Sequence, residues 1–161
     1  MSSLHVVGIS DGKVSNEPAD TLVTYALGSC VGLALYDPHA RAGGLLHIML
    51  PDSRFRSSSR EFNPYMYADT GFYGLLETLL GLGTARHRLV AKLGGGANML
   101  RNSGLLDIGL RNAEAMVSLL QRERIPVLGT SLGGTVGRSM QFRLEDGSVK
   151  VRLLGQGEET L

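Results

Sequence analysis

Cys30-Val31-Gly32-Leu33-Ala34-Leu35-Tyr36 and Gly44-Leu45-Leu46-His47-Ile48-Met49-Leu50, separated by the turn-rich Asp37-Pro38-His39-Ala40-Arg41-Ala42-Gly43, decide how this chain folds. Both runs read as strands, and the short connection joins them as an antiparallel pair. Successive side chains of a strand point to opposite faces. Val31, Leu33 and Leu35 therefore share one face of the first strand, and Cys30, Gly32, Ala34 and Tyr36 the other. On the second strand Leu46, Ile48 and Leu50 lie opposite Leu45, His47 and Met49. Residues directly across a pair share a face, and a slip of one residue would lift a whole apolar row off the core. The register that keeps the two rows together sets Tyr36 across from Gly43 and His47 across from Gly32, diagonal to Cys30. It predicts Cys30 and His47 on one face, with the small Gly32 and Ala34 leaving space for a substrate beside the sulfur.

Outward from this pair, periodicity predicts further strands over Leu4–Ile9, Leu22–Leu27, Arg88–Leu93, Ile125–Gly129, Met140–Leu144 and Val149–Leu154. The last two flank Glu145-Asp146-Gly147, a hairpin signal because Asp-Gly tolerates positive φ. Asn63-Pro64 offers a helix N-cap followed by proline, and Ala68, Phe72, Leu75, Leu76, Leu79 and Leu80 follow at helical spacing up to Gly81 and Gly83. A second amphipathic helix starts near Asp107 and carries Ile108, Ala113, Met116, Val117 and Leu120 on one face. About eight strands and two long helices make an α+β or layered α/β sandwich, its mostly antiparallel sheets covered by the helices. No repeat or linker divides residues 1–161, so one domain is expected, with 155–161 as a flexible tail.

The 161 residues suffice to bury a real core, and 43% hydrophobic with 19% charged residues is the make-up of an ordinary globular protein. Sixteen Lys and Arg against fifteen Asp and Glu leave +1, too little for a nucleic-acid footprint. No apolar run approaches the ~18 residues that span a bilayer, and the first residues lack a signal peptide's charged and apolar regions. A cytoplasmic protein without membrane insertion is expected. One cysteine excludes an intramolecular disulfide and a Cys-rich zinc site.

That cysteine has a chemical reading and a structural one. A neighbouring imidazole accepts a thiol proton and favours the thiolate, so Cys30 with His47 as base is a nucleophile for acyl transfer. The turn Gly28-Ser29-Cys30 supplies backbone N–H groups for an oxyanion. A lone cysteine is also commonly a buried small hydrophobe, and a strand histidine a satisfied structural residue. Gly94-Gly95-Gly96 lacks the Lys-Ser/Thr of a phosphate loop and reads as a turn that lets backbone approach the site. His5, His39 and His87 have no metal-ligand spacing, so neither metal nor cofactor is expected. Arg54, Arg56 and Arg60 lie in a polar loop that reads as a solvated surface or a contact for acidic helices.

Thr24-Tyr25-Ala26-Leu27-Gly28-Ser29-Cys30-Val31, followed by Gly44-Leu45-Leu46-His47-Ile48-Met49-Leu50-Pro51, resembles the CheD family of chemoreceptor glutamine deamidases. Tyr67-Ala68-Asp69, Ala91-Lys92-Leu93-Gly94-Gly95-Gly96-Ala97-Asn98-Met99, Ile108-Gly109-Leu110-Arg111-Asn112 and Gly133-Gly134-Thr135-Val136-Gly137-Arg138 extend the resemblance in order from Thr24 to Leu154. Each glycine block is weak alone; the ordered set is specific. Gly94 departs from it, standing where an aromatic is usual, and so does Ser139-Met140 in place of a further basic residue.

The resemblance implies Cys30 as nucleophile, His47 as general base and acid, and Thr24 as the residue that orients the imidazole. Read alone, Thr24 is a strand residue of good β-propensity. It also implies conversion of receptor glutamines to glutamates through a Cys30 acyl-thioester, with methyl-ester hydrolysis by the same route as a side activity. The implied fold is similar to the catalytic fold of glutamine-deamidating toxins. The implied partners are the cytoplasmic helices of chemoreceptors and a CheC-type phosphatase. Two other readings stay open: a non-catalytic regulator of such a phosphatase, and a cysteine protease or transglutaminase.

Overall fold

The structure, a computed structural model, describes residues 1–101 and 107–161. Among them the elements run β1 (Leu4–Val7), β2 (Asp11–Ser15), β3 (Thr21–Leu27), β4 (Val31–Asp37), β5 (Ala42–Ile48), α1 (Ala68–Leu80), β6 (Val90–Gly95), α2 (Ile108–Arg122), β7 (Val127–Leu132), β8 (Arg138–Arg143), β9 (Val149–Leu153) and β10 (Gly157–Thr160). The strands form two five-stranded sheets, ordered β1-β3-β8-β9-β10 and β2-β5-β4-β6-β7. Neighbours pair antiparallel except β1 with β3 and β6 with β7. The fold is mixed α+β, with two sheets and two helices.

β4 and β5 pair in the expected register, Gly32 opposite His47 and Tyr36 opposite Gly43. Val31, Leu33, Leu35, Leu46 and Ile48 pack under α1 and α2 against Phe72, Leu75, Leu76, Met116 and Leu120. Burying each such side chain contributes about 1.5–3 kcal/mol. The other face of the same sheet is covered as well. Ala34, Tyr36 and Leu45 meet Leu22, Leu27, Met140, Phe142 and Val151 of the first sheet. The layers are sheet, sheet, helices.

This second cover corrects the expectation of open space at Gly32 and Ala34. A Cβ on Gly32 would lie 2.5 Å from Met140 Sδ and 3.2 Å from Leu27. Ala34 is buried in the same cluster. Both are small because a second sheet packs on them, not because the face is open.

Two strands were not foreseen. β2 has one large apolar residue, Val14, and is held by its backbone pairing along β5. The terminal residues expected to form a flexible tail instead continue the first sheet as β10, paired with β9. All four of its residues are exposed, so no apolar alternation announces it. Leu161 N–H donates to Val149 O, and Lys92 Nζ donates to Leu161 O at 2.6 Å. Asn63 accepts from Tyr65 N–H, but it caps a single 3₁₀ turn at Pro64–Met66; α1 begins only after the extended Tyr67. Asp107 caps α2 as expected, accepting from Leu110 N–H at 2.9 Å.

Candidate active site

β3 and β5 come from different sheets and meet inside the sandwich. Leu22 points into that interior, and Thr24, two residues on, shares its face; a register shift between Thr24 and Leu27 brings Leu27 onto it as well. Its hydroxyl donates to Val7 O at 2.7 Å, and its oxygen lies 2.7 Å from His47 Nδ1. A hydroxyl carries one proton. With that proton on Val7, the Thr24 oxygen accepts from Nδ1–H, which leaves the lone pair of the imidazole on Nε2. Nε2 is buried and, among the described residues, has no hydrogen-bond partner.

Cys30 sits one residue before β4, half-buried, and packs against the inter-sheet cluster that contains Leu45 and Ala34. His47 follows Leu45 by two along β5, so Cys30 and His47 share that face. Burial pushes the Cys30 thiol above its ordinary pKa against the pull of its own backbone N–H. Burial also pushes His47 down to about 4. The resting pair is therefore a neutral thiol and a neutral imidazole at pH 7.

Three successive carbonyls tether the cysteine turn. Gly28 O accepts from Ala97 N–H, Ser29 O from Asn112 Nδ2 and Cys30 O from Gly96 N–H, at 2.9, 2.9 and 2.8 Å. The glycine block is thus a backbone approach. Gly95 adopts φ +105, and a Cβ there would lie 2.2 Å from Cys30 O. Gly28 N–H is already donated to Ala26 O, which removes it from the oxyanion candidates. Among the described residues no backbone carbonyl accepts from the N–H of Ser29 or Cys30. A cleft of about 270 Å³ opens beside Ser29, lined by Met49, Leu50, Ala97, Met99 and Ile108.

Residues 49–153 match the family CheD, described as chemotactic sensory transduction. A relative from Symbiobacterium thermophilum is 47% identical over 98% of this chain and 97% of its own length. The chain belongs to the CheD family. That relative and one from Solibacter usitatus, 44% identical over 96% of this chain, are each named probable chemoreceptor glutamine deamidase CheD. A crystal structure of Neisseria meningitidis protein NMB0706, of family DUF152, is similar in fold alone, with TM-score 0.52 at 10% identity over 83% of this chain and 65% of that one.

Sequence reasoning paired Cys30 with His47 by register and reached Thr24 through the CheD resemblance. It did not find Val7 O or Asn112. A backbone carbonyl leaves no mark in a sequence. Asn112 carries one weak mark, an amide on the otherwise apolar buried face of α2.

Proposed function

We propose that this CheD-family chain hydrolyses the side-chain carboxamide of specific glutamines on the cytoplasmic helices of chemoreceptors. Cys30 is the nucleophile, His47 the general base and acid, and Thr24 the residue that holds the imidazole. One observation carries this reading: His47 is fixed through Nδ1 by Thr24, and its Nε2, without a partner among the described residues, lies on the face that Cys30 shares.

The thiol proton passes to Nε2 as sulfur attacks the carboxamide carbon, forming the C–S bond. The negative charge moves to the carboxamide oxygen, where the N–H groups of Ser29 and Cys30, taken by no carbonyl among the described residues, are the proposed donors. The imidazolium then protonates the departing nitrogen, the C–N bond breaks and ammonia leaves a thioester. Water gives a proton to Nε2 and attacks the thioester carbon. The C–S bond breaks, and the sulfur regains a proton from the imidazolium. The product is a glutamate side chain. Starting from a neutral pair suits this sequence, because the proton moves only when the carbonyl is in place to take the charge.

The reading includes a cytoplasmic site of action, where the receptor helices are, a single domain over 1–161 and a fold akin to that of deamidating toxins. A CheC-type phosphatase is a second proposed partner. The test incubates the protein, and separately Cys30→Ala, with chemoreceptor cytoplasmic fragments and maps glutamine-to-glutamate conversion by mass spectrometry. Conversion by the parent alone supports the reading. Unchanged glutamines with tight CheC binding favour the regulator instead, and peptide-bond cleavage favours a protease.

A further inference from the structure

We infer that Asn112 is a positioning residue that sets the distance between Cys30 and His47; this rests on the Cys30–His47 reading above. The antiparallel ladder of β4 and β5 ends at the pair Val31 and Ile48. One step beyond, Cys30 and Met49 face each other with no ladder hydrogen bond to hold them. The amide of Asn112, from the far side of the site on α2, fills that gap. Its Nδ2 donates both protons, one to Ser29 O and one to Met49 O, each at 2.9 Å. One side chain thus grips the residue before the nucleophile and the second residue after the base.

The helix carrying Asn112 is itself seated firmly. Its first turn lies so close to the glycine block that a Cβ on Gly109 would stand 2.2 Å from Ala97 O. Asn112 is fully buried, and among the described residues its Oδ1 has no partner. Among the described residues those two links are the hydrogen bonds of its side chain. Two parallel donations from one nitrogen need an amide at this reach. Aspartate has the same shape and offers two acceptors to two carbonyls, which drives the strands apart.

Cys30 is the sole cysteine, so alkylation by iodoacetamide reads its reactivity without any receptor substrate. The experiment is a double-mutant cycle between Asn112 and His47, with Asn112→Ala, Asn112→Asp and Asn112→Ser, and Met116→Ala as a comparably destabilised control on the same helix. In the parent and in Met116→Ala, His47→Gln slows alkylation at pH 7 by about tenfold or more. In the Asn112 variants it changes the rate less than about twofold, because the base no longer sits where it can act. On receptor fragments the same variants lose kcat at nearly constant KM. A tenfold His47 effect that survives in folded Asn112 variants overturns the assignment and leaves the Cys30–His47 pair standing. A parent indifferent to His47→Gln overturns both. Failure of all three Asn112 variants to fold, judged by circular dichroism, also overturns it, since the residue would then serve stability alone.

Discussion

Thr24 and His47 belong to different sheets, and a 2.7 Å hydrogen bond between Oγ1 and Nδ1 joins them across the interior of the sandwich. The bond is one of a pair, since the same hydroxyl donates to Val7 O on the strand beside it. A neutral residue thereby settles which imidazole nitrogen bears the proton, with no carboxylate.

Thr24→Val keeps the shape and removes the hydroxyl, leaving Val7 O and His47 Nδ1–H buried without partners. A loss of about 1–3 kcal/mol in urea unfolding is expected. Receptor deamidation should fall about 10²-fold, as the imidazole can adopt either tautomer. Thr24→Ser should recover most of both. A Val variant as active as the parent would show that the hydroxyl has no part in the chemistry.

Cys30→Ala should cut glutamine conversion by at least about 10³-fold, since water and the remaining groups cannot replace a thiolate. Thermal unfolding should stay within a few degrees of the parent. Cys30 is only half-buried, and its turn is held by three backbone carbonyls that the substitution does not touch.

Acid should weaken the fold in two separate steps. His47 falls from 6.5 to about 4 on folding through burial. Between those values the unfolded chain binds a proton that the native chain refuses, so this contribution is complete above pH 6.5 and lost as pH falls toward 4, on the order of 3 kcal/mol. Burial alone would raise Asp37, but the Arg88 guanidinium and the N–H groups of Ala85, Ala40 and His39 outweigh it and hold it at about 2. Its contribution is present above pH 3.8 and lost as pH drops toward 2. Urea unfolding across pH 8 to 2 should show both limbs, and His47→Gln should erase the upper one only. An upper limb persisting in that variant would assign it to another group.

Two glycines with positive φ should behave differently. Gly95→Ala forces a Cβ into Cys30 O, at 2.2 Å, and should cost more than about 2 kcal/mol while displacing the cysteine turn. Gly133 has φ +84 and nothing within 4 Å, so Gly133→Ala pays only for the left-handed backbone, about 1 kcal/mol. Cys30 alkylation should change in the first variant and not in the second.

How far the sequence reached can be judged at single residues. Alternation in Val31–Tyr36 and Gly44–Leu50 was enough for the register that puts His47 across from Gly32, because one slip would strip a full apolar row from the core. The same alternation misjudged the other face. Gly32 and Ala34 looked like room for a substrate, and only the arrival of Met140 and Leu27 from the second sheet explains their size. β10 was missed since an exposed edge strand is held by backbone bonds, which every residue can make.

What the sequence determined by itself is which side chains are present and which strand faces they occupy: a single thiol and a histidine on one face. Periodicity is local, and it survives whatever the rest of the chain does. What only the tertiary structure decided is the environment of that pair. Burial that leaves both groups neutral, a threonine 23 residues from the histidine settling its tautomer, and an asparagine gripping two carbonyls across the site all depend on contacts distant in sequence. Such contacts carry no period to read, because they are fixed by how the layers stack.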